Sequence, residues 1–398
     1  MVKRLLIVFS VFGIILLTSY TSKSQSEVNR DTLLGGLNSL RVAVPFLTIA
    51  PDSRAGAMGD AGAATTPDVN SQHWNPAKYA FIDKEWGLSF SYTPWLRNLG
   101  VNDINLTYLT GFYRLDKEQV VGGSLLYFSM GEITATSREN QIISVMNPNE
   151  FAFDFSYSRK FADLISGAIA FRYIRSDLSN GISNNGSVIR AGNAFAADIA
   201  MYYNQPLVID NRNAHAAFGM NISNMGSKIS YNDDDKKDFI PINLRIGGRF
   251  SMDMDQYNTF SVVLDANKLL VPTPPATDDD DNIIAGMDTD VSLLQGMIQS
   301  FYDAPGGGKE ELREISYSLG MEYWYSKQFA IRAGYFHEHE TKGGRKYFTV
   351  GAGLKYNVFN LDFAYLIPQV GFNSPLANTV RFSLMFDFER SRDRQKKE

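Results

Sequence analysis

Few residues in this 398-residue chain have the types and spacing that chemistry needs. Gly56-Ala57-Met58-Gly59-Asp60-Ala61-Gly62 has the glycines of a phosphate cradle. It lacks the Gly-Lys-Ser/Thr of a P-loop, and no strand–helix frame surrounds it. A serine hydrolase needs a G-x-S-x-G elbow and a histidine partner; the motif does not occur, and the chain has only four His. His337 and His339 lie two apart on one face of a strand and have the spacing to share a metal ion, but a polar strand end at an outer rim explains them as well. Two acidic runs, Asp233–Asp235 and Asp278–Asp281, offer the carboxylate oxygens calcium takes, without EF-hand spacing, and read as solvated loop charge. The residues assign no catalytic, cofactor-binding or metal site.

The elements that would position any site come next. Lys3 and Arg4 followed by apolar Leu5 to Leu17 read as a signal peptide, residues 1–25, cleaved after Ser22-Lys23-Ser24. There is no Cys, so disulfide and thiolate chemistry are excluded. No later segment approaches the 18 consecutive apolar residues of a membrane helix, which excludes a helical inner-membrane protein. The formal charge is −5, moving to about −8 without Lys3, Arg4 and Lys23, so no basic field invites nucleic acid. Aromatic residues make up 13% of the chain, and their spacing decides the class.

From Trp86 onward apolar residues recur every second position: Leu88, Phe90, Tyr92; Phe151, Phe153, Phe155, Tyr157; Val380, Phe382, Leu384, Phe386, Phe388. Period-2 alternation marks strands with one apolar face. The opposite positions hold Asp154, Ser156, Ser158, Arg172, Asp198, Asn243, Arg245, Arg249, Asp265, Glu322, Arg332, Asp362, Arg381 and Asp387. Ionisable groups mid-strand opposite a Phe/Leu/Tyr band fit lipid outside and a polar lumen inside. Strands of about 9–12 residues are long enough to cross a bilayer at a tilt. The expected fold is all-β: a transmembrane antiparallel β-barrel of about fourteen strands over residues 86–388. Starts are expected near Trp86, Asp103, Gln119, Glu150, Leu164, Gly192, Asn213, Ile240, Asn258, Arg313, Phe329, Arg345, Phe359 and Asn378. Connections alternate long and short, as "GEITATSRENQIISVMNPN" against "LDKEQ" and "FAD", the pattern of outer loops and periplasmic turns. Two connections sit awkwardly: "NQPLVIDNRN" is long for a turn, and "HETKGG" is short for a loop.

Residues 26–85 precede the first strand, and a barrel this wide needs a plug or leaves a channel. The Gly/Ala-rich stretch from Arg54 reads as a plug or hatch folded into the lumen, with Arg54, Asp60 and Asp68 free to pair with wall charges. Residues 268–312 form the longest connection, an extracellular loop with its own helix capped by Asp288 or Asp290 and with Val291, Leu294, Ile298 and Phe301 on one face. Long loops with structure of their own are usually functional. Leu293, Leu294, Met297, Ile298, Phe301 and Tyr302 are the candidate partner-binding residues. Residues 389–398 read as a charged periplasmic tail.

"PFLTIAPDSRAGAMGDAGAATTPDVNSQHWNPAKYAF", the long acidic loop and "YFTVGAGLKYNVFNLDFAYLIP…NSPLANTVRFSLMFDF" together resemble the PorV (LptO) family. These are outer-membrane barrels of the type IX secretion system of Bacteroidetes, in the wider FadL-like superfamily. The resemblance covers about Leu40 to Phe388. It implies a non-enzymatic outer-membrane shuttle that binds the C-terminal signal domain of cargo at a SprA/Sov-like translocon and delivers it to a PorU-like sortase. It also carries the hatch motif onto Arg54, Gly56, Gly59, Asp60, Asn75 and Pro76, and cargo contact onto the outer loops. The expected surroundings are outer-membrane lipid, with no cofactor and no nucleic acid. The alternative is a FadL-type channel for hydrophobic small molecules. Lipid A deacylation, associated with the LptO name, would need a nucleophile constellation that these residues do not supply.

Overall fold

The computed structural model describes residues 36–101, 103–136, 140–178, 183–184, 187–188, 190–231, 237–369 and 374–389. The signal peptide, the first ten residues of the expected plug, the Asp233–Asp235 run and all but Glu389 of the expected tail lie outside them.

Fourteen antiparallel strands close into a barrel. They are β1 (Trp86–Pro94), β2 (Ile104–Arg114), β3 (Gln119–Met130), β4 (Asn149–Ala162), β5 (Ile165–Asp177), β6 (Gly192–Ile209) and β7 (Arg212–Gly226), then β8 (Asn243–Asp253), β9 (Asn258–Leu269), β10 (Ser316–Tyr325), β11 (Phe329–His337), β12 (Lys346–Tyr356), β13 (Phe359–Pro368) and β14 (Val380–Phe388). β1 pairs with β14 from Trp86↔Phe388 to Tyr92↔Phe382, which leaves the sheet without an edge. In hydrocarbon that closure is required, because no water is present to satisfy a row of open N–H and C=O groups.

β4 shows why these residues make a wall. Ala152, Asp154, Ser156 and Ser158 are buried, while Phe153 and Phe155 are 56% and 52% exposed. A water-soluble protein would be inside out with that arrangement; a lipid-facing barrel is not. Phe171, Phe195, Ile199, Leu264 and Ile331 extend the apolar belt around the circumference.

The expected starts at Ile240 and Arg313 shift to Asn243 and Ser316. Pro241 has no N–H for the ladder, and Ile242 turns back to bond the Ile240 carbonyl at 2.8 Å. Arg313 instead ends a helix, Gly308–Arg313. The awkward "NQPLVIDNRN" is strand almost throughout. β6 and β7 pair to Ile209↔Arg212 around Asp210 and Asn211, both at positive φ, as a two-residue hairpin turn demands. β5 stops pairing at Ile165↔Tyr203 and β8 at Met252↔Ala214, so this hairpin projects beyond the wall. The short "HETKGG" is a single 3-10 turn, Glu340–Lys342.

The segment before β1 fills the barrel. Ala55, Ala57, Ala61, Ala63 and Ala64 are all buried, and small side chains let the backbone lie against the wall. Gly59 and Gly334 meet face to face: a Cβ on Gly334 would lie 2.1 Å from the Gly59 nitrogen, and Gly59 itself has φ +67°. Gly334→Val is therefore expected to displace the plug while the barrel still closes. Overpacking of this kind costs about 1–3 kcal/mol, so exchange of the plug amides should rise roughly tenfold to a hundredfold. Unchanged protection of residues 53–64 by hydrogen-exchange mass spectrometry would refute that packing.

Part of the lumen is apolar, which the alternation did not foretell. Val44, Phe46, Leu106, Ile174, Ile229, Phe239, Ile240, Ile242 and Val271 form one buried cluster.

Candidate functional site

The site has two layers, a plug locked into the wall and a folded lid above it. The plug opens with Asp52, whose side chain caps the turn Ser53–Gly56 by accepting from the Ala55 N–H at 2.9 Å and takes the Trp74 indole N–H at 2.5 Å. Burial, then the nearby Asp68 charge, pushes the Asp52 carboxyl up to about 6.

Arg54 lies in that turn and reaches across to the wall. Its Nε and Nη2 donate to the Glu322 carboxylate at 3.0 and 2.8 Å, and Nη1 donates to Asp68 at 2.8 Å and to the Thr66 carbonyl at 3.0 Å. Glu322 also accepts from Arg332, which bonds Asp362 at 2.6 Å on β13. One ionic chain thus runs from the plug through three strands. A second tie is Asp265, which accepts from the backbone N–H groups of Gly62 and Ala63 at 2.7 and 2.8 Å.

The other hatch residues occupy the same seam. A Cβ on Gly56 would lie 2.8 Å from the Arg381 guanidinium, so a larger residue there would push that arginine aside. Asp60 faces Arg381 at 3.6 Å and accepts from the Tyr347 hydroxyl at 2.5 Å. Asn75 donates to the Ala63 and Met201 carbonyls at 2.9 and 3.0 Å and caps the turn Pro76–Phe81 through Ala77 N. The Pro76 carbonyl accepts from Ser158 at 2.7 Å. All six hatch residues touch the wall or the turn that seats on it. Lys78, which sequence reasoning passed over, donates inside the plug to Gly62 O and Thr65 at 2.8 Å each, and burial brings its ammonium down to about 8.

The lid is the connection between β9 and β10. A small hairpin pairs Ala276–Thr277 with Ile283–Ala285, and helices follow at Leu293–Gln299 and Gly308–Arg313. Ser292 caps the first helix, accepting from Gln295 N at 3.4 Å. That corrects the expected Asp288 or Asp290 cap: the helix begins at Leu293, and Asp288 lies too early to reach its first turn. Leu293 and Met297 turn inward and pack on the buried cluster. Leu294, Ile298, Phe301 and Tyr302 face solvent at 69, 63, 51 and 60% exposure. The six candidate binding residues are therefore split between an anchoring face and an open face. Val291, expected on one face with Leu294, Ile298 and Phe301, packs with the anchors instead.

A buried ionic latch holds the lid. Lys268 reaches Glu311 and Glu314 at 3.0 and 2.6 Å, and Lys342 reaches Glu310 and Glu314 at 2.5 and 3.0 Å. Burial pushes Glu311 up to about 7, with Lys268 opposing and Glu314 adding to the rise. Asp303, which accepts from Thr273 N at 3.1 Å, is pushed up to about 6, also by burial. A raised carboxylate stabilises the folded lid below its unfolded value near 4, and that contribution is lost as pH rises through the folded value. Amide protection over residues 270–315 is expected to fall between pH 5 and pH 8, after correction for the intrinsic exchange rate. Constant protection would contradict it.

The remaining chemistry candidates stay structural. Asp278 accepts from Asp280 N and Asn282 N at 3.1 and 2.8 Å, closing the lid hairpin's turn. His339 caps the 3-10 turn by accepting from Thr341 N at 3.2 Å, and His337 sits 3.5 Å from the Tyr335 hydroxyl. Among the described residues no cluster of three metal-ligating side chains forms.

The sequence model of the family described as "Type IX secretion system protein PorV" matches residues 36–276. No curated protein gives a significant match. Among solved structures, the toluene transporter TbuX of Ralstonia pickettii is 11% identical with a TM-score of 0.44, covering 86% of this chain and 98% of that one. The toluene transporter TodX of Pseudomonas putida is also 11% identical with a TM-score of 0.44, covering 88% and 98%. A FadL homologue of Pseudomonas aeruginosa is 11% identical with a TM-score of 0.41, covering 88% and 100%. Likenesses at these scores say nothing about ligand or mechanism.

Proposed function

This chain belongs to the PorV family of type IX secretion system proteins, and from that premise we propose that it is a non-enzymatic shuttle for secreted cargo. It is an outer-membrane β-barrel of a secretion or transport protein. In the proposed cycle the outer lid binds the C-terminal signal domain of cargo at a SprA/Sov-like translocon. The barrel then diffuses in the membrane and hands the cargo to a PorU-like sortase.

The observation that carries this reading is the open face of the lid. Leu294, Ile298, Phe301 and Tyr302 stand in solvent on a helix and turn that an ionic latch and an apolar anchor hold still. Exposed apolar and aromatic groups on a preorganised support are what a protein partner uses, because little ordering is left for binding to do. The rival, a FadL-type channel for hydrophobic small molecules, needs an apolar route past the plug. The plug meets the wall instead through Arg54–Glu322, Asp60–Arg381 and Asp265, which are poor company for a hydrocarbon.

A photo-crosslinking residue placed at Leu294 tests the reading, with Phe171, 62% exposed in the lipid-facing wall, as the control position. In cells that secrete through this system, position 294 should capture proteins sharing a C-terminal domain, and position 171 should not. Capture of lipid alone at both positions would reject the shuttle.

A further inference from the structure

The lid carries charge of one sign. Between Lys268 and Lys309 the chain has seven Asp and no Lys, Arg or His. Asp303 is buried, and the other six, Asp278 to Asp281, Asp288 and Asp290, are exposed. Asp278 and Asp288 close turns, accepting from Asn282 N at 2.8 Å and from Asp290 N at 2.9 Å. Among the described residues the side chains of Asp279, Asp280 and Asp281 take no hydrogen bond. Of the six, Asp290 alone has a described cation within 4.0 Å, Lys228 at 3.5 Å, and its side chain is still 93% exposed.

These charges border the open apolar face. The Asp288 carbonyl accepts from Gln299 Nε2 at 2.7 Å, which ties the Asp288–Asp290 stretch to the helix Leu293–Gln299. Gly286 stands at the foot of the hairpin that bears Asp278 to Asp281, and a Cβ on it would lie 3.2 Å from the Asp303 carbonyl, just after Tyr302. Both acidic stretches therefore fold against the unit that presents Leu294, Ile298, Phe301 and Tyr302. A surface charged for solubility alone intersperses both signs. Carboxylates gathered without cations repel one another, and the field they make attracts and selects a partner of the opposite charge. Lipid headgroups, which carry phosphate, are repelled by the same field.

We infer that the open face docks a protein surface of matching chemistry, an apolar centre bordered by lysine and arginine side chains. The centre seats on Leu294, Ile298, Phe301 and Tyr302, and the basic border meets Asp279, Asp280, Asp281 and Asp290. This chemistry rests on the docking role proposed for the lid and adds what the docked surface carries. An apolar surface bordered by acidic groups is turned away by the same carboxylates.

The test uses the full-length barrel in phosphatidylcholine nanodiscs, with a photo-crosslinking residue at Leu294 and three fluorescent peptides as probes. One has a leucine–phenylalanine centre and a lysine border, the second the same centre with a glutamate border, and the third the lysine border with a serine centre. At about 50 mM salt the first is expected to crosslink at least about tenfold more than either of the others. Raising the salt to about 500 mM should shrink its lead over the glutamate peptide to less than about threefold. Asp279→Asn, Asp280→Asn, Asp281→Asn and Asp290→Asn combined should shrink that lead equally at low salt, with unchanged amide protection over residues 290–315. The same four positions changed to Glu should keep it. In secreting cells, the contact peptides captured by position 294 should carry Lys or Arg beside apolar residues. Discrimination among the peptides with no cargo captured would keep the docking chemistry and remove the shuttle; captured cargo with contact peptides free of Lys and Arg would do the reverse. Equal crosslinking of the first peptide and either of the others, or a lead untouched by the four Asn substitutions, overturns the inference.

Discussion

Arg54→Ala is expected to unseat the plug and leave the barrel closed. The side chain removed makes both plug-to-wall bonds to Glu322 and the only salt bridge to Asp68 among the described residues. Glu322 keeps Arg332 at 2.7 Å, so the wall survives, but Asp68 is left partly buried with no salt bridge among the described residues. Breaking one partner of a buried pair costs about 3–5 kcal/mol. Applied to local opening, that raises amide exchange in residues 52–68 by roughly two to four orders of magnitude. The same variant in a planar bilayer should show stepwise ion conductance, and the native barrel should show none. Arg54→Lys should recover only part of the protection, since an ammonium cannot fork onto Glu322 while bonding Asp68. Native-like exchange in Arg54→Ala would mean that Asp265 and the glycine contacts hold the plug without it.

The second large effect lies on the lid. Leu294→Asp with Ile298→Asp should reduce bound secretion partners by more than tenfold while the lid stays folded, because both side chains already face water. If each side chain is an anchor worth about 1 kcal/mol in a partner's pocket, the pair loses about 2 kcal/mol, roughly thirtyfold in affinity. Leu293→Asp with Met297→Asp is the informative contrast. Those residues pack on the cluster around Phe239 and Val271, so the lid itself should loosen and amide protection over residues 290–315 should fall. Equal partner loss from both pairs, with equal loosening, would remove the distinction between anchor and docking face.

Much of the wall was legible because a strand in lipid writes its environment into every second residue. β4 reads as a membrane strand from Phe153, Asp154, Phe155 and Ser156 alone, and burial follows that alternation. Starts drifted by as much as three residues only where a local rule competed, at Pro241 and at the helix ending on Arg313. The plug was legible as a Gly/Ala segment with paired charges, though not the identity of its partners. Arg54 and Glu322 are 268 residues apart, and nothing local links them. The lid latch was hidden for the same reason, since Lys268 at the end of β9 and Lys342 in the turn after β11 converge on Glu314 from distant parts of the chain. The apolar cluster draws Phe46, Leu106, Ile174, Phe239 and Val271 from segments far apart in the chain, and no local pattern links them.

The most direct test of the central claim is to extract the tagged barrel gently from its own outer membrane and identify its companions by mass spectrometry. Secreted proteins that share a C-terminal domain, together with a giant translocon or a sortase, are the expected result. Fatty acids or other lipids with no protein partner would contradict the shuttle and favour passage through the barrel.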